Sequence, residues 1–407
     1  MRSVGPNSTL NFYNAVACVA DESSKVPVAS GERVQIRAAA GRVLAEDILA
    51  DRDFPAFARS TRDGFAVAAG ATAFRVIGEI RAGQSWDGEA IGPATCVAIM
   101  TGAPLPEGAD AVVMLEWVEQ ASNTITLRDG KVIHAGDNIV RRGSEAAQGA
   151  VVVPAGTRLH AAHLGMAAAC GCANLRVHRR PRVAILATGD ELVDIGDQPG
   201  PEQIRNSNSY ALAVAVEHAG GEAVALAPAK DTRQSLHEQL ELAFDCDFIL
   251  VAGGVSAGKY DLAKSVLVEN FGAQFFFTGV RLQPGRPAVF GRARDKYFFG
   301  LPGNPVSALV TFGLLARPLL AALGGEKPWQ PRFASAKLQH NMPAAGELTR
   351  ILPAQISHSI TAATVRQIPW QGSGDMAALS ASNGFLVLPE GTAPRAAGDT
   401  VTVWLAD

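Results

Sequence analysis

Between residues 180 and 325, short apolar runs alternate with longer amphipathic stretches. Arg182-Val-Ala-Ile-Leu-Ala187 reads as a buried strand, and 222–227, 248–252, 274–282 and 297–301 repeat that character. Helices are predicted between them: 207–219, stopped by Gly220-Gly221; a second to about 244 with an N-cap at Asp231-Thr232; 261–270; and 306–323. Strand and helix in alternation imply a mostly parallel sheet covered on both faces. Such sheets bind ligands beyond the carboxyl ends of their strands. The polar and glycine-rich segments fall at those ends: Thr188-Gly-Asp-Glu191, 253–261 and Leu301-Pro-Gly-Asn-Pro305.

The flanking regions follow other patterns. Residues 327–407 contain short alternating runs punctuated by Gly and Pro, which predict a small all-β domain. Residues 52–146 are β-rich and turn-rich, and 10–50 carry two predicted helices, 11–19 and 36–44.

A chain of 407 residues with 48% hydrophobic and 18% charged residues can fill several cores. A net charge of −3 and an aromatic content of 6% argue against nucleic-acid binding, which favours a basic excess and stacking platforms. The five cysteines are sparse and odd in number, so no disulfide framework is expected. Cys170-Gly-Cys172, with His160 and His163 nearby, reads as structural, because no second cluster completes a zinc set. Residues 1–25 have no apolar signal region. The longest apolar stretch, 309–323, is interrupted by Arg317 and Pro318 and is short for a bilayer. The expectation is a soluble, cytoplasmic protein without a membrane partner.

The richest chemistry lies in Gly253-Gly-Val-Ser-Ala-Gly258, which follows an apolar strand and precedes a helix. Glycines there let amides and a helix N-terminus face an anion, so Gly253, Gly254, Ser256 and Gly258 are candidate phosphate contacts. Gly253, Gly258 and Lys259 nearly spell a nucleotide P-loop, but Tyr260 stands where a magnesium-binding Ser or Thr belongs. A degenerate P-loop, a plain tight turn and a phosphate cradle of another type all remain open. Asp190, Glu191, Asp231 and Asp261 follow successive strands, and convergence at one rim would suit Mg²⁺ bound jointly with substrate phosphate. The competing reading is that each acid caps the helix after it. In Gln283-Pro-Gly-Arg-Pro287, prolines around glycine fix a loop that presents Arg286 to an oxyanion. Asp63-Gly64 and Thr101-Gly102 are by themselves turn signals.

In order along the chain come Ala40-Gly-Arg-Val-Leu-Ala-Glu-Asp47, Ser60-Thr-Arg-Asp-Gly-Phe-Ala-Val67, Thr101-Gly-Ala-Pro-Leu-Pro-Glu-Gly-Ala-Asp110 and Thr188-Gly-Asp-Glu-Leu192. Then follow the 253–261 loop, Leu301-Pro-Gly-Asn-Pro-Val-Ser307, and Gln371-Gly-Ser-Gly374 with Asn383-Gly384. With these motifs the chain resembles the molybdopterin molybdenumtransferases, the MoeA and gephyrin E-domain family, over nearly all its length. The resemblance implies a multidomain α/β and β fold in four parts. These are an elongated domain from 10–51 and 147–179, a β-rich insert at 52–146, a three-layer MogA-like α/β domain at 180–326, and a C-terminal β-barrel-like domain at 327–407.

It further implies a homodimer whose active cleft is shared between subunits, with Asp63 and Thr101 supplied in trans. The implied transferase reaction takes adenylylated molybdopterin and molybdate, with Mg²⁺, to molybdenum cofactor and AMP. Partners implied are a molybdopterin adenylyltransferase and recipient molybdoenzymes. Catalytic positions carried over are Asp63, Thr101, Glu191, Asp231 and Asp261, and the metal set would be Asp190, Glu191 and Asp261. Pro302, Gly303, Asn304 and Pro305 would bind the cofactor, and Arg350 and Ser373 would contact molybdate. The chain departs from the family's pattern at Arg62, where Met is usual, at Glu145 within Gly143-Ser-Glu145, and at Gln283, where a Lys is usual. Two other readings compete with the implied one: a molybdopterin adenylyltransferase, and a non-enzymatic scaffold or cofactor carrier.

Overall fold

The structure is a computed structural model that describes residues 8–254, 262–326 and 329–406. At its centre is a six-stranded sheet. Its strands are β1 (Arg182–Ala187), β2 (Glu222–Ala225), β3 (Phe248–Ala252), β4 (Gln274–Phe277), β5 (Val289–Ala293) and β6 (Lys296–Leu301), in spatial order β2-β1-β3-β6-β5-β4. The first four in that order are parallel, and β5 and β4 complete the sheet antiparallel.

Period-2 alternation sends side chains to both faces, and both are apolar. Val183, Ile185, Phe248 and Leu250 pack with Leu212 and Val216 of helix α1 (Ser207–His218). Ala184, Leu186, Ile249 and Val251 pack with Leu236 and Leu240 of α2 (Arg233–Ala243) and Val266 and Leu267 of α3 (Leu262–Phe271). This is why the strands read as continuous hydrophobic runs rather than as alternating ones. Phe248, Phe277, Phe290, Phe298 and Phe299 are fully buried, each contributing on the order of 2–3 kcal/mol of transfer free energy.

The predicted final helix is a continuous run from Pro305 to Leu323, with Asn304 at its N-cap and Pro305 in its first turn. It widens to a π-helical turn at Phe312–Ala316, where the Trp404 ring lies so close to Gly313 that a Cβ would stand 2.5 Å from it. Contrary to the sequence expectation, this run is long and apolar enough to cross a bilayer. Most of it is buried in the core, packed on the face that carries α1.

The apolar stretch 274–282 is not one strand. After β4 the chain leaves the central sheet, and Gly279–Gln283 joins a seven-stranded one. There it lies parallel to Thr9–Asn11 on one side and to Thr349–His358 on the other. Ala363–Gln367, Phe333–Leu338, Thr400–Trp404 and Gly384–Leu388 follow in order. Gly384–Leu388 pairs back onto Thr349–His358, which closes the last five strands into a barrel. Covalent and sheet connections therefore tie the C-terminal domain to the α/β domain.

The helix over Phe12–Ser23, grouped by sequence with the elongated domain, buries Phe12, Ala15, Cys18 and Val19 in the core of the α/β domain. The predicted helix 36–44 shrinks to a single 3₁₀ turn at Ile36–Ala39. Val43 and Leu44 instead bridge to Arg158 and Val177, and the Leu44 side chain completes a small core shared with residues 151–177. Ladders of Gly31–Gln35 with Asn174–His178, and of Ile48–Leu49 with Val151–Val153, join the two halves of this region around the insert. The insert's own sheet has six strands: Ala111–Met114, Gly64–Val67, Thr95–Ile99, Ala73–Ile80, Thr124–Leu127 and Val118–Ala121. All five cysteines are free thiols.

Candidate active site

A cavity of about 620 Å³ opens where β1, β3 and β6 end. Its floor is Thr188, Gly189, Ala252, Gly253 and Gly254, and Pro302 to Pro305 form one wall. Gly253 and Gly254 hold φ of +94° and +63°, a left-handed pair that suits glycine. Crowding demands glycine as well: a Cβ on Gly253 would stand 2.7 Å from the Thr188 carbonyl oxygen. The Gly253 N–H donates to the Leu301 carbonyl at 3.0 Å, so this amide serves the sheet rather than an anion. Ser256, Gly258 and Asp261 lie outside the described residues.

Among the described residues, the acids at this rim are not helix caps. The α2 N-terminus is capped by Thr232, whose hydroxyl accepts from Ser235 N–H at 3.2 Å, and the α1 N-terminus by Asn206. Asp231 is thereby left to the cleft, and its own N–H donates to Asp190 Oδ1 at 3.1 Å. Burial, and then the charges of Asp190 and Glu191, push the Asp231 carboxyl above the usual Asp range. Glu191 also lines the cleft and folds over Gly189, where a Cβ would stand 2.5 Å from its carboxylate. Asp190 lines a neighbouring cavity of about 720 Å³ against the edge strand β2. Among the described residues, no three His, Cys, Asp or Glu side chains are already gathered as a metal set.

The C-terminal domain reaches the same cleft. Gly374 and Met376 line it. Asn304 donates to the Ser373 hydroxyl at 2.7 Å, and the Val306 N–H donates to the Ser373 carbonyl at 3.1 Å. Asp375 shapes this loop by accepting from the N–H groups of Ala378 and Gln371, which hold its carboxyl below the usual range. Arg286 and Arg350 do not line the cleft. Arg286 is exposed next to Pro287, which does. Arg350 stands in register with Gln283, and its Nε is buried without a partner.

Three family models cover most of the chain. "MoeA N-terminal region (domain I and II)" matches residues 11–171, "Probable molybdopterin binding domain" 184–322, and "MoeA C-terminal region (domain IV)" 335–406. A molybdopterin molybdenumtransferase of Bacillus subtilis is 36% identical over 379 residues, covering 89% of this chain and 87% of that protein. The chain belongs to the molybdopterin molybdenumtransferase family. A family member named molybdopterin molybdenumtransferase from Haemophilus influenzae is 34% identical, with 91% and 93% of the two chains covered. The crystal structure of a molybdopterin biosynthesis MoeA protein from Pyrococcus horikoshii superposes with a TM-score of 0.72 at 31% identity, over 98% of this chain and 99% of that one.

The remaining site residues implied by family membership sit in the insert. Asp63 Oδ1 accepts from both the N–H and the hydroxyl of Thr101, at 2.6 and 2.8 Å, and the backbone bond first, then the hydroxyl, holds its carboxyl below the usual range. Asp63-Gly64 is not a turn: Gly64 opens a buried strand, where a Cβ would stand 1.9 Å from the Val113 carbonyl oxygen. Thr101-Gly102 is a turn, with Gly102 at φ +84°. No residue of 52–146 lines the cleft of the same chain. Arg62 is exposed beside Asp63, and Glu145 is spent on Arg59 at 2.9 Å.

Sequence reasoning left Thr188, Arg205, Asn206 and Asn208 out of the site, yet all four line the cleft. Arg205 Nε donates to the carbonyls of Ile195 and Asp197, and Asn208 donates to the Gly303 carbonyl at 2.7 Å. Asn206, a capping residue immediately before an apolar helix, is the sequence signal that marks this edge.

Proposed function

We propose that the protein transfers molybdenum from molybdate to adenylylated molybdopterin and releases AMP; its relatives carry the name molybdopterin molybdenumtransferase. The observation that carries this reading is the acid-rimmed glycine cleft: Asp231, uncapped and raised, stands with Glu191 across a floor too crowded for any side chain at 253. Carboxylates held this close favour a partner of opposite charge, worth roughly 4 kcal/mol per pair at 4 Å and an effective dielectric of 20.

Glu191 and Asp231 line the cleft and would offer oxygen ligands to a divalent cation such as Mg²⁺ that shares phosphate oxygens with the substrate, with Asp190 tied to the Asp231 backbone beside them. When bound, such an ion supplies charge neutralisation at the phosphoanhydride. The chain's own residues do the positioning. The 302–305 wall and the glycine floor seat the phosphate, the Ser373 loop is tied against that wall, and Arg286 stands exposed outside the cleft, next to the cleft-lining Pro287. Asp261 would add a carboxylate and lies outside the described residues.

We place the working enzyme in the cytoplasm as a homodimer, with Asp63 and Thr101 entering the partner's cleft. That arrangement accounts for an ordered polar pair in the insert that its own chain's cleft does not use. A molybdopterin adenylyltransferase upstream and molybdoenzymes downstream are the expected partners.

The test is incubation of the pure protein with adenylylated molybdopterin, molybdate and Mg²⁺. AMP release that requires molybdate supports the proposal. A requirement for ATP would make the protein an adenylyltransferase, and tight pterin binding without turnover would make it a carrier.

A further inference from the structure

Thr188 follows β1 at the floor of the cleft and is 6% exposed. Its backbone is fixed by an N–H bond to the Ala252 carbonyl at 3.0 Å and by a bridge to Ala229. Its hydroxyl oxygen is shielded from solvent and has no hydrogen-bond partner. A buried hydroxyl left unpaired is destabilising, a cost that valine, of the same shape, would avoid.

Packing at this point is directed at that hydroxyl. The chain crosses it with two left-handed glycines, and a Cβ on Gly254 would stand 2.7 Å from Thr188 Oγ1. A second threonine provides a comparison. Thr311 Oγ1 is also buried and unpartnered, 2.8 Å from where a Gly285 Cβ would stand, but Thr311 borders neither cavity at this rim. Thr188 borders the cleft, at the place where the Gly253 N–H is already spent on Leu301. An unpaired O–H group therefore lies at the floor beside an amide that is already spent.

We propose that Thr188 is a phosphate-binding residue of this site, its hydroxyl donating to a non-bridging oxygen of the nucleotide phosphate seated on the glycine floor. The inference rests on the functional reading above and adds a residue to it. The same O–H would satisfy the orphaned oxygen and select phosphorylated over unphosphorylated ligands.

Calorimetric titration of the full-length protein with AMP, and with adenosine as the phosphate-free control, tests it. Thr188→Val should weaken AMP binding by about tenfold, the loss expected for one hydrogen bond to a charged group, and leave adenosine binding unchanged. Thr188→Ser should stay within about twofold of wild type for AMP, since it keeps the donor. Melting of Thr188→Val at or above the wild-type temperature verifies that the fold is retained. Wild-type AMP affinity in Thr188→Val, or an equal loss in Thr188→Ser, would overturn the assignment and leave the functional reading standing. A wild-type protein that does not bind AMP would overturn both.

Discussion

The rim of the α/β domain and the tip of the insert are both polar and exposed, and they are built on opposite principles. At the tip, one oxygen of Asp63 is saturated: two donors from Thr101 converge on it, and the strand that follows is pinned by a glycine against Val113. At the rim, the groups are in tension: Asp231 is pushed up by its neighbours, Thr188 has no partner, and the caps that might have absorbed the acids are provided by Thr232 and Asn206. A saturated carboxylate is ordered before any ligand arrives. A tense cluster gains order and stability from one. On the proposed function, this difference suits the tip to positioning and the rim to binding.

The largest expected effect breaks the rim. Asp231→Asn should cut molybdate-dependent AMP release by at least about a hundredfold, the loss typical of removing one electrostatic contact to the reacting group. If turnover stays within tenfold of wild type, the acids serve another purpose.

A mixing experiment asks whether tip and rim of different chains meet. Asp63→Ala and Asp231→Ala should each be inactive as homodimers. Re-associated at equal ratio, half the dimers are mixed and each holds one intact cleft, so about a quarter of wild-type activity should return. No recovery would place both halves of the cleft in one chain.

The tip's rigidity is tested by Gly64→Ala, whose methyl would stand 1.9 Å from a backbone oxygen. A loss of at least about 3 kcal/mol in denaturant unfolding is expected, because backbone must move to accept it. Retained stability would show that the strand gives way easily.

Acid titration separates the two carboxylates by sign. Asp63 has a lowered folded value, so its contribution is present above the ordinary Asp range near 3.9 and is lost as pH falls through the depressed value. Asp231 has a raised value, so it costs stability at neutral pH, and the cost vanishes on acidification. At pH 7, Asp63→Ala should melt below wild type and Asp231→Asn above it, and both gaps should close in acid. Melting curves across pH check this, and gaps of one sign would refute it. The smallest effect is expected from Asn304→Ala, which releases the Ser373 loop: about 1 kcal/mol or less in stability, with a rise in KM for molybdate. An unchanged KM would detach that loop from substrate handling.

Much of this was legible in the chain because its signals are local. β1, β3 and α1 follow from apolar runs and caps, and the cleft's position follows from where those strands end. The readings that failed involve competition between local signals. Asp231-Thr232 offers two possible caps, and in the folded chain threonine takes the role. Val43 and Leu44 carry helical spacing, yet tertiary contacts with residues 151–177 draw them into bridges. Asp63-Gly64 resembles a turn until Val113 supplies the reason for the glycine. Thr188 was passed over because an unpaired hydroxyl is a property of its surroundings and leaves no mark on spacing or composition.

The strand Gly279–Gln283 has a consequence for synthesis. One of its edges can be covered early, by Thr9–Asn11, but the other waits for Thr349–His358, which leaves the ribosome later. Until then a nascent α/β domain carries an open strand edge, a template for pairing with another chain. Truncation anywhere between 284 and 348 should therefore yield aggregates rather than a smaller folded protein, and chaperone engagement should be greatest over that interval of translation.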